Sequence, residues 1–281
     1  MKRGLIAWDR EQLPPAVFDT RLGLARAALA ERDLPALLVY TDVWRSNQAR
    51  FLTNFMPYWN RSLVVIPRDS PPVLLCALSP RVYPWIKSVT IFEEIRPASK
   101  LMATLDQLCS ERGWSKLGVL DLPKLPLEIH TGLRGREIVD VPSVGTTDPD
   151  DAEFAMRRKA VQLARGVPLT SSAGELEREL RLAGAEDLVI RVKRRADGAY
   201  SVALALECRG HWVKVTRAHG PADEVASLQN SFRDALASGG GYRENLAGPQ
   251  PYEPGSGSIF ALTVEHQGLF YGDTCSGTEL L

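Results

Sequence analysis

The sequence GHWVKVTRAHG, residues 210–220, decides how the second half of the chain is interpreted. Val213 and Val215 alternate with polar residues, which predicts a β-strand with one apolar face. A second alternating stretch, AYSVALALEC (199–208), comes just before it. The two stretches are joined by Arg-Gly, which favours a β-hairpin. Lys214 lies between the two valines, and its ammonium group has to be accounted for on this strand.

Alternation assigns the polar side chains of the hairpin to one face. Glu207 on the first strand shares this face with Trp212, Lys214 and Thr216 on the second. We therefore predict that the charges of Glu207 and Lys214 pair across the hairpin. The alternative is that the aliphatic stem of Lys214 lies on the sheet while its ammonium reaches solvent.

A mononuclear metal site near the hairpin is disfavoured. The candidate ligands are Glu207, Cys208, His211 and His219, but alternation puts Cys208 and His211 on the opposite face from Glu207. The four cysteines of the chain contain no Cys-x-x-Cys pair. This spacing is typical of reduced thiols rather than of a disulfide framework or a zinc site.

The first half of the chain predicts a mixed α/β domain, because helical periodicity alternates with short apolar strands. Helices are predicted at 16–32 and 102–114, and strands at 36–40, 63–69, 71–78, 90–95 and 116–122. The break at 139–151 separates residues 1–145 from residues 146–281. Within this break, Asp148 is predicted to cap a helix whose first residue is Pro149.

The second half predicts two helices, then strands. The helices are predicted at 149–166 and 173–187, followed by the hairpin described above. Residues 238–258 are rich in Gly, Pro and Ser and are predicted to form a loop. The segment 259–274 predicts two further short strands.

Composition narrows the class of protein. The 281 residues carry 34 basic and 34 acidic side chains, so charge gives no reason to expect binding to nucleic acid or to an anionic membrane. No apolar run approaches the ~20 residues that span a bilayer. The sequence MKRGLIAWDREQ at the start lacks the apolar core of a signal peptide, so a cytoplasmic protein is expected.

In order along the chain, several segments resemble the creatinase, prolidase and Xaa-Pro aminopeptidase family. In the first half these are RFLTNF (50–55), RSLVVIPRDSPPVLL (61–75) and the Arg21 helix. In the second half they are DDAEFAMRRKAVQLA (150–164), RLAGAEDLVI (181–190), RGHWVKVTRAHG (209–220), GSIFALTVEHQG (257–268) and YGDTCSGTELL (271–281). The resemblance implies a creatinase-type N-terminal α/β domain followed by an abridged α+β domain of the pita-bread fold.

The family binds two divalent ions through two aspartates, a histidine and two glutamates. The residues at the matching positions of this chain are Ala203, Lys214, Tyr242, Thr263 and Gly272. None of these offers a carboxylate or an imidazole, and an ammonium has no lone pair for a metal. No metal or other cofactor is therefore expected.

The sequence thus predicts a metal-free homologue that works by binding, as an accessory subunit, in a biosynthetic pathway. The alternative is a metal-independent hydrolase or lyase of small amino-acid or amide substrates. In that case Lys214, Glu207 and His211 are the candidate catalytic residues, and Arg217, Trp212 and Thr216 the candidate substrate-binding residues. A third alternative is a degenerate paralogue with only a residual fold.

The resemblance also implies a partner. The N-terminal domain of the family mediates dimerisation, so we expect a homodimer or a heteromer with an intact homologue. Aromatic residues concentrate at 55–61 and 82–87, which suits an interface.

Overall fold

The structure is a computed structural model that describes residues 7–142, 144, 150–167, 172–208, 211–246 and 259–281. The chain divides into two compact units, Met1–Thr146 and Thr147–Leu281. Within the described ranges, no helix is long and apolar enough to cross a lipid bilayer.

The first unit is an α/β domain built on a six-stranded sheet, and its elements follow the alternation seen in the sequence. Its helices are α1 (Pro15–Glu31), α2 (Asn47–Thr53), α3 (Tyr83–Val89), α4 (Leu101–Arg112) and α5 (Leu127–Gly132). Its strands are β1 (Ala36–Asp42), β2 (Arg61–Pro67), β3 (Val73–Cys76), β4 (Glu94–Pro97), β5 (Lys116–Leu120) and β6 (Glu137–Val141).

The strand order of this sheet is β4-β3-β2-β1-β5-β6. Strand β2 pairs antiparallel with β1 and β3, whereas β1–β5, β5–β6 and β3–β4 are parallel. Residues of α1, α2 and α3 pack on one face of the sheet, and residues of α4 and α5 pack on the other. The mixed α/β architecture predicted from the sequence is confirmed.

The family-like segment 50–55 contacts the buried side chain of Arg21 in α1. Its guanidinium is buried, donates to the Phe51 carbonyl at 2.8 Å and lies 4.2 Å from the centre of the Phe51 ring. A buried cation of this kind is favoured only when hydrogen bonds and aromatic faces replace water. The pair therefore fixes α1 against α2.

The second unit is built on an antiparallel sheet. Its helices are α6 (Asp151–Gly166), α7 (Ala173–Leu182) and α8 (Ala222–Ser238). Its strands are β7 (Asp187–Arg194), β8 (Tyr200–Cys208), β9 (His211–His219), β10 (Tyr242–Asn245), β11 (Ile259–His266), β12 (Leu269–Ser276) and β13 (Glu279–Leu280). The order is β10-β11-β12-β9-β8-β7, and β13 pairs with β12.

The three helices cover one face of this sheet, which we call the helix face. Apolar residues of α6 and α7 pack on the valines and leucines of β8 and β9, and Phe232 and Leu236 of α8 pack on β11 and β12. The opposite face carries Lys214, and we call it the Lys214 face. The alternation predicted for the hairpin is confirmed by continuous antiparallel pairing from Tyr200↔His219 to Cys208↔His211.

Two local predictions are corrected, and one helix is added. Asp150, not Asp148, caps α6, because its carboxylate accepts the Glu153 amide at 2.9 Å. The predicted loop 238–258 contains strand β10, and its remainder 247–258 lies outside the described residues, as do Asp148, Pro149 and the Arg-Gly joint 209–210. Helix α8 was missed, although Leu228, Phe232 and Leu236 recur at helical spacing.

Candidate functional site on the Lys214 face

Four of the five positions that the resemblance singled out lie in one row across the Lys214 face. The register pairs Tyr242 with Thr263, Thr263 with Gly272, Gly272 with Thr216, and Thr216 with Ala203. Residues that are directly opposite on neighbouring strands project to the same face of a sheet. Positions far apart in the sequence therefore lie next to one another on this face of the sheet.

Lys214, the fifth position, lies in the adjacent row of the same face. Its ammonium donates a hydrogen bond to the Glu244 carboxylate on β10. Glu244 is opposite Ala261 and Ala261 is opposite Thr274, so the ion pair extends across β11 and β12 over small side chains. The side chains of Lys214 and Glu244 are 35% and 41% exposed, so the pair is accessible to solvent.

The backbone of Lys214 is held by Thr274. The Lys214 amide donates to the Thr274 hydroxyl at 2.9 Å, and that hydroxyl donates to the Lys214 carbonyl at 2.8 Å. Gly272 of β12 is the register partner of Thr216 of β9, so Thr274 lies opposite Lys214 and its hydroxyl bonds both backbone groups of Lys214. Thr274 therefore fixes the site from which the lysine side chain leaves the sheet.

The predicted pairing of Lys214 with Glu207 is wrong, because Lys214 bonds Glu244 instead. The reason is the register of the hairpin, which puts Ala205 opposite Lys214 and Trp212 opposite Glu207. Glu207 shares the face of Lys214 but is itself buried. Glu244 has no place in the sequence prediction, because residues 238–258 were predicted to form a loop.

The three predicted catalytic residues are not brought together. Lys214 and Glu207 lie on one face, whereas His211 lies on the helix face. There the buried His211 Nδ1 is 3.0 Å from a carboxylate oxygen of Glu153 in α6. An imidazole on the far side of the sheet does not reach a substrate that contacts Lys214.

The predicted substrate-binding residues are also divided between the two faces. Trp212 and Thr216 lie on the Lys214 face, as the alternation implied. Arg217 lies on the helix face, where it donates to the Asp273 carboxylate at 2.8 Å and to the Gly272 carbonyl at 2.8 Å. Arg217 therefore fixes β9 to β12 and is not directed toward the row of matching positions.

Asp273 is the centre of charge on the helix face. Arg165 of α6 lies 3.0 Å from the same carboxylate oxygen that Arg217 contacts. Asp273 is itself buried, so two guanidinium groups compensate one carboxylate that has left water. Burial, and secondarily the Asp273 charge, raises the pKa of the neighbouring Cys275 thiol to about 12.

Gly272 has no room for a side chain. A Cβ at this position would lie 2.5 Å from the Leu262 carbonyl oxygen and 2.9 Å from the Thr263 hydroxyl. Real Cβ atoms do not approach a backbone oxygen this closely, so strand β11 would have to move. Gly272, which the resemblance matches to the family's last glutamate, therefore has no room for a carboxylate side chain unless β11 moves.

The residues of this face do not fit a pair of divalent ions. Two divalent ions require several anionic ligands, and the matching positions offer an alanine, a tyrosine, a threonine and a glycine, together with the Lys214 ammonium. Across the part of the chain that the structure describes, no group of three or more His, Cys, Asp or Glu residues is placed to hold a metal.

The fold was compared with known proteins. No known family profile matches the sequence, and no curated protein matches it. Solved structures do match. A prolidase from Pyrococcus horikoshii aligns over 93% of this chain and 99% of its own, with a TM-score of 0.64 and 12% identity.

Two further solved structures also align with most of this chain. A dipeptidase from Mycobacterium ulcerans aligns over 95% of both chains with a TM-score of 0.64 and 14% identity. An X-Pro aminopeptidase from Thermotoga maritima aligns over 90% of this chain and 93% of its own, with a TM-score of 0.63 and 12% identity. The chain therefore has the fold of prolidases and Xaa-Pro aminopeptidases, at a sequence distance that leaves its activity open.

Proposed function

We propose that this protein uses the fold of prolidases and Xaa-Pro aminopeptidases for binding, without a metal centre and without peptidase activity. The observation that carries the proposal is the row Tyr242, Thr263, Gly272 and Ala203, with Lys214 beside it. The row holds positions that the resemblance matches to the family's metal ligands, and it supplies no anionic ligand.

The floor of the Lys214 face supports a binding role. Ala203, Ala205 and Thr263 are small and only half-buried, although they lie on inner strands of the sheet. An antiparallel sheet commonly packs one face on the core and leaves the other open to solvent, so the Lys214 face is accessible to a ligand. A floor of small, accessible side chains next to one ammonium and one carboxylate can receive a small polar molecule or a segment of a partner protein.

The Lys214–Glu244 pair supplies the recognition groups. Exposed ion pairs contribute about 0 to 1 kcal/mol, so an incoming carboxylate or ammonium can replace either member at little cost. The buried charges of the helix face cannot be replaced at so little cost. In this proposal Lys214 and Glu244 contact the ligand, and Thr274 positions Lys214.

The test is metal analysis combined with a peptidase assay. The purified protein is measured for manganese, cobalt and zinc by mass spectrometry, then assayed on Xaa-Pro dipeptides with each metal added. A prolidase treated in parallel is the positive control. We expect metal well below one ion per chain and no hydrolysis. Stoichiometric metal together with dipeptide hydrolysis would refute the proposal.

The ligand role has a separate readout. Small zwitterions and dicarboxylates are screened by the shift they cause in the melting temperature of the wild type and of Lys214→Met. Any hit is expected to lose its shift in Lys214→Met. A hit whose shift is unchanged in this variant binds elsewhere and counts against the Lys214 face.

A further inference from the structure

Two basic side chains of strand β7 lie on the same face of the sheet as Lys214. Arg191 is the register partner of Ala203, and Ala203 is the register partner of Thr216, which is two residues from Lys214 on β9. Register partners project to the same face of a sheet. Lys193 projects with Arg191, because the side chains of a strand alternate with period two. Arg191, Lys193 and Lys214 therefore form one group, which we call the basic cluster.

Lys193 shows that side chains of β7 reach inward across the sheet. Its ammonium lies 4.3 Å from the centre of the Phe270 ring, and Phe270 is on β12, the third strand from β7. The lysine crosses β8 and β9 at Ser201 and Ala218, which are register partners with small side chains. Small residues on the middle strands therefore let a cation from the edge strand reach the centre of the face.

Arg191 is the cation of the cluster that is available to a ligand. It is exposed, and it has no hydrogen-bond or ion-pair partner among the residues that the structure describes. Arg195, four residues further along, differs because its guanidinium bonds Asp197 at 2.5 Å and Glu224 at 2.6 Å. The guanidinium of Arg191 therefore keeps its N–H donors for an acceptor from outside the chain.

Arg191 and Lys214 are placed to contact one chemical group. Strands β7 and β9 are two steps apart, about 10 Å, and the two residues differ by about 7 Å along the strands, so their Cα atoms are about 12 Å apart. Between them on β8 lie Ala203 and Ala205, which are small and half-buried. An arginine and a lysine side chain together span this distance, because no larger side chain of β8 separates them.

The carboxylates of this face lie away from Arg191. Glu244 and Glu265 are on β10 and β11, toward the opposite edge of the sheet. Asp187 and Glu207 are register partners near the end of the hairpin, and Asp187 is four residues from Arg191, about 13 Å along an extended strand. The basic cluster therefore makes the part of the face over β7, β8 and β9 positively charged.

We propose that the basic cluster binds a phosphate monoester of a small molecule, an inference that rests on the proposed binding role of the Lys214 face. The planar guanidinium of Arg191 can donate two parallel hydrogen bonds to phosphate oxygens, and the Lys214 ammonium adds a compact charge. A phosphate monoester carries a charge of about −1.5 to −2 at pH 7 on a single group, which suits cations that converge on one point. A carboxylate carries only one charge, so it is expected to bind more weakly.

The carbon atoms of such a ligand find an apolar contact beside the cluster. Val189 is 47% exposed and is the register partner of Ala205, which is itself opposite Lys214. An exposed valine in the row of Lys214 gives the ligand an apolar contact next to its phosphate. On binding, Lys214 exchanges the Glu244 carboxylate for the phosphate, and this exchange costs little because the ion pair is accessible to solvent.

Isothermal titration calorimetry with phenyl phosphate, at constant ionic strength, tests the inference on the full chain. The wild type is expected to bind with a dissociation constant of about 1 mM or lower. Benzoate, which has the same ring and a single carboxylate, is expected to bind at least about 10-fold more weakly. Arg191→Met and Lys214→Met should each raise the constant for phenyl phosphate at least about 10-fold, since each removes a charge-assisted contact.

Arg194→Met is the matched control, and thermal melting checks that every variant folds. Arg194 is on the same strand as Arg191, but its register partner Tyr200 packs on the helix face, so the constant should stay unchanged. Glu244→Gln gives a readout of opposite sign: it removes the carboxylate that competes for Lys214, so binding should tighten about 3-fold.

Four results overturn the inference. They are no binding of phenyl phosphate at about 20 mM, benzoate that binds as tightly, an Arg191→Met variant that binds like the wild type, and an Arg194→Met variant that loses as much affinity as Arg191→Met. Weaker binding by Glu244→Gln also contradicts it. The proposed function has separate tests in metal content and peptidase activity, so loss of the phosphate ligand leaves that proposal standing.

Discussion

The two faces of the antiparallel sheet treat charged residues differently. On the helix face, Asp273 is buried and contacted by Arg217 and Arg165. On the Lys214 face, Lys214 and Glu244 pair in contact with solvent above small side chains. Both faces contain ion pairs, but only burial makes removal of one partner costly. The difference assigns one face to stability and leaves the other available for a ligand.

The largest effect is expected when Asp273 is removed. Asp273→Ala leaves the guanidinium groups of Arg217 and Arg165 without their shared carboxylate, which we expect to lower the free energy of unfolding by about 2–4 kcal/mol. Urea denaturation measures the loss. Glu279→Ala on the short strand β13 is the control and should change stability by less than about 0.5 kcal/mol. A loss below about 1 kcal/mol for Asp273→Ala would mean that the helix face does not depend on this pair.

The next effect is expected at Gly272 of β12, where strand β11 leaves no room for a side chain. Gly272→Ala places a methyl group 2.5 Å from the Leu262 carbonyl oxygen, so we expect a loss of about 1–3 kcal/mol. Gly174→Ala in α7 is the matched control, since its Cβ meets nothing within 4 Å and alanine favours a helix. Both variants are compared by thermal melting. Equal melting temperatures would show that β11 can move and that Gly272 does not exclude a side chain.

Much of this comparison could be predicted from the sequence. Alternation in residues 199–219 assigned the apolar side chains of β8 and β9 to one face and Lys214 to the other, because the period of a strand does not depend on its neighbours. The partner of Lys214 could not be predicted in this way. Glu244 lies 30 residues further along, on a short strand after a run of glycines, and only the pairing of β10 with β11 brings it near.

The helix face was harder to predict for a similar reason. Arg217 lies on the apolar face of its strand. Alternation within β9 cannot predict that its partner is Asp273, which lies on the neighbouring strand β12. The resemblance gave indirect information on strand pairing, since it matched positions 203, 214, 263 and 272 to ligands of a single site and so implied that their strands lie close together. Long-range pairing is therefore what the resemblance added to the local pattern.

A smaller effect is expected for the ion pair of the Lys214 face. A double-mutant cycle with Lys214→Met and Glu244→Gln should give a coupling energy of about 0.2–1 kcal/mol, because both side chains are accessible to solvent. The coupling should fall in 1 M salt, where the screening length is about 3 Å. The same cycle on Arg217 and Asp273 should give a larger value that salt changes little. Equal coupling energies in the two cycles would remove the distinction between the faces.

The smallest effect is expected when carboxylates are introduced on the Lys214 face. The triple variant Ala203→Asp/Lys214→Asp/Thr263→Glu introduces three of the four carboxylates that the family places at matching positions, and it leaves Tyr242 and Gly272 in place. We expect 1 mM manganese to raise its melting temperature by less than about 1 °C, since three carboxylates without the remaining ligands bind weakly. The wild type with and without manganese is the control. A rise of more than about 3 °C, which corresponds to roughly 1 kcal/mol in a domain of this size, would show that the face keeps the geometry of a metal site. In that case the side chains at positions 203, 214 and 263 alone keep the metal out, and the close approach of Gly272 to β11 does not contribute.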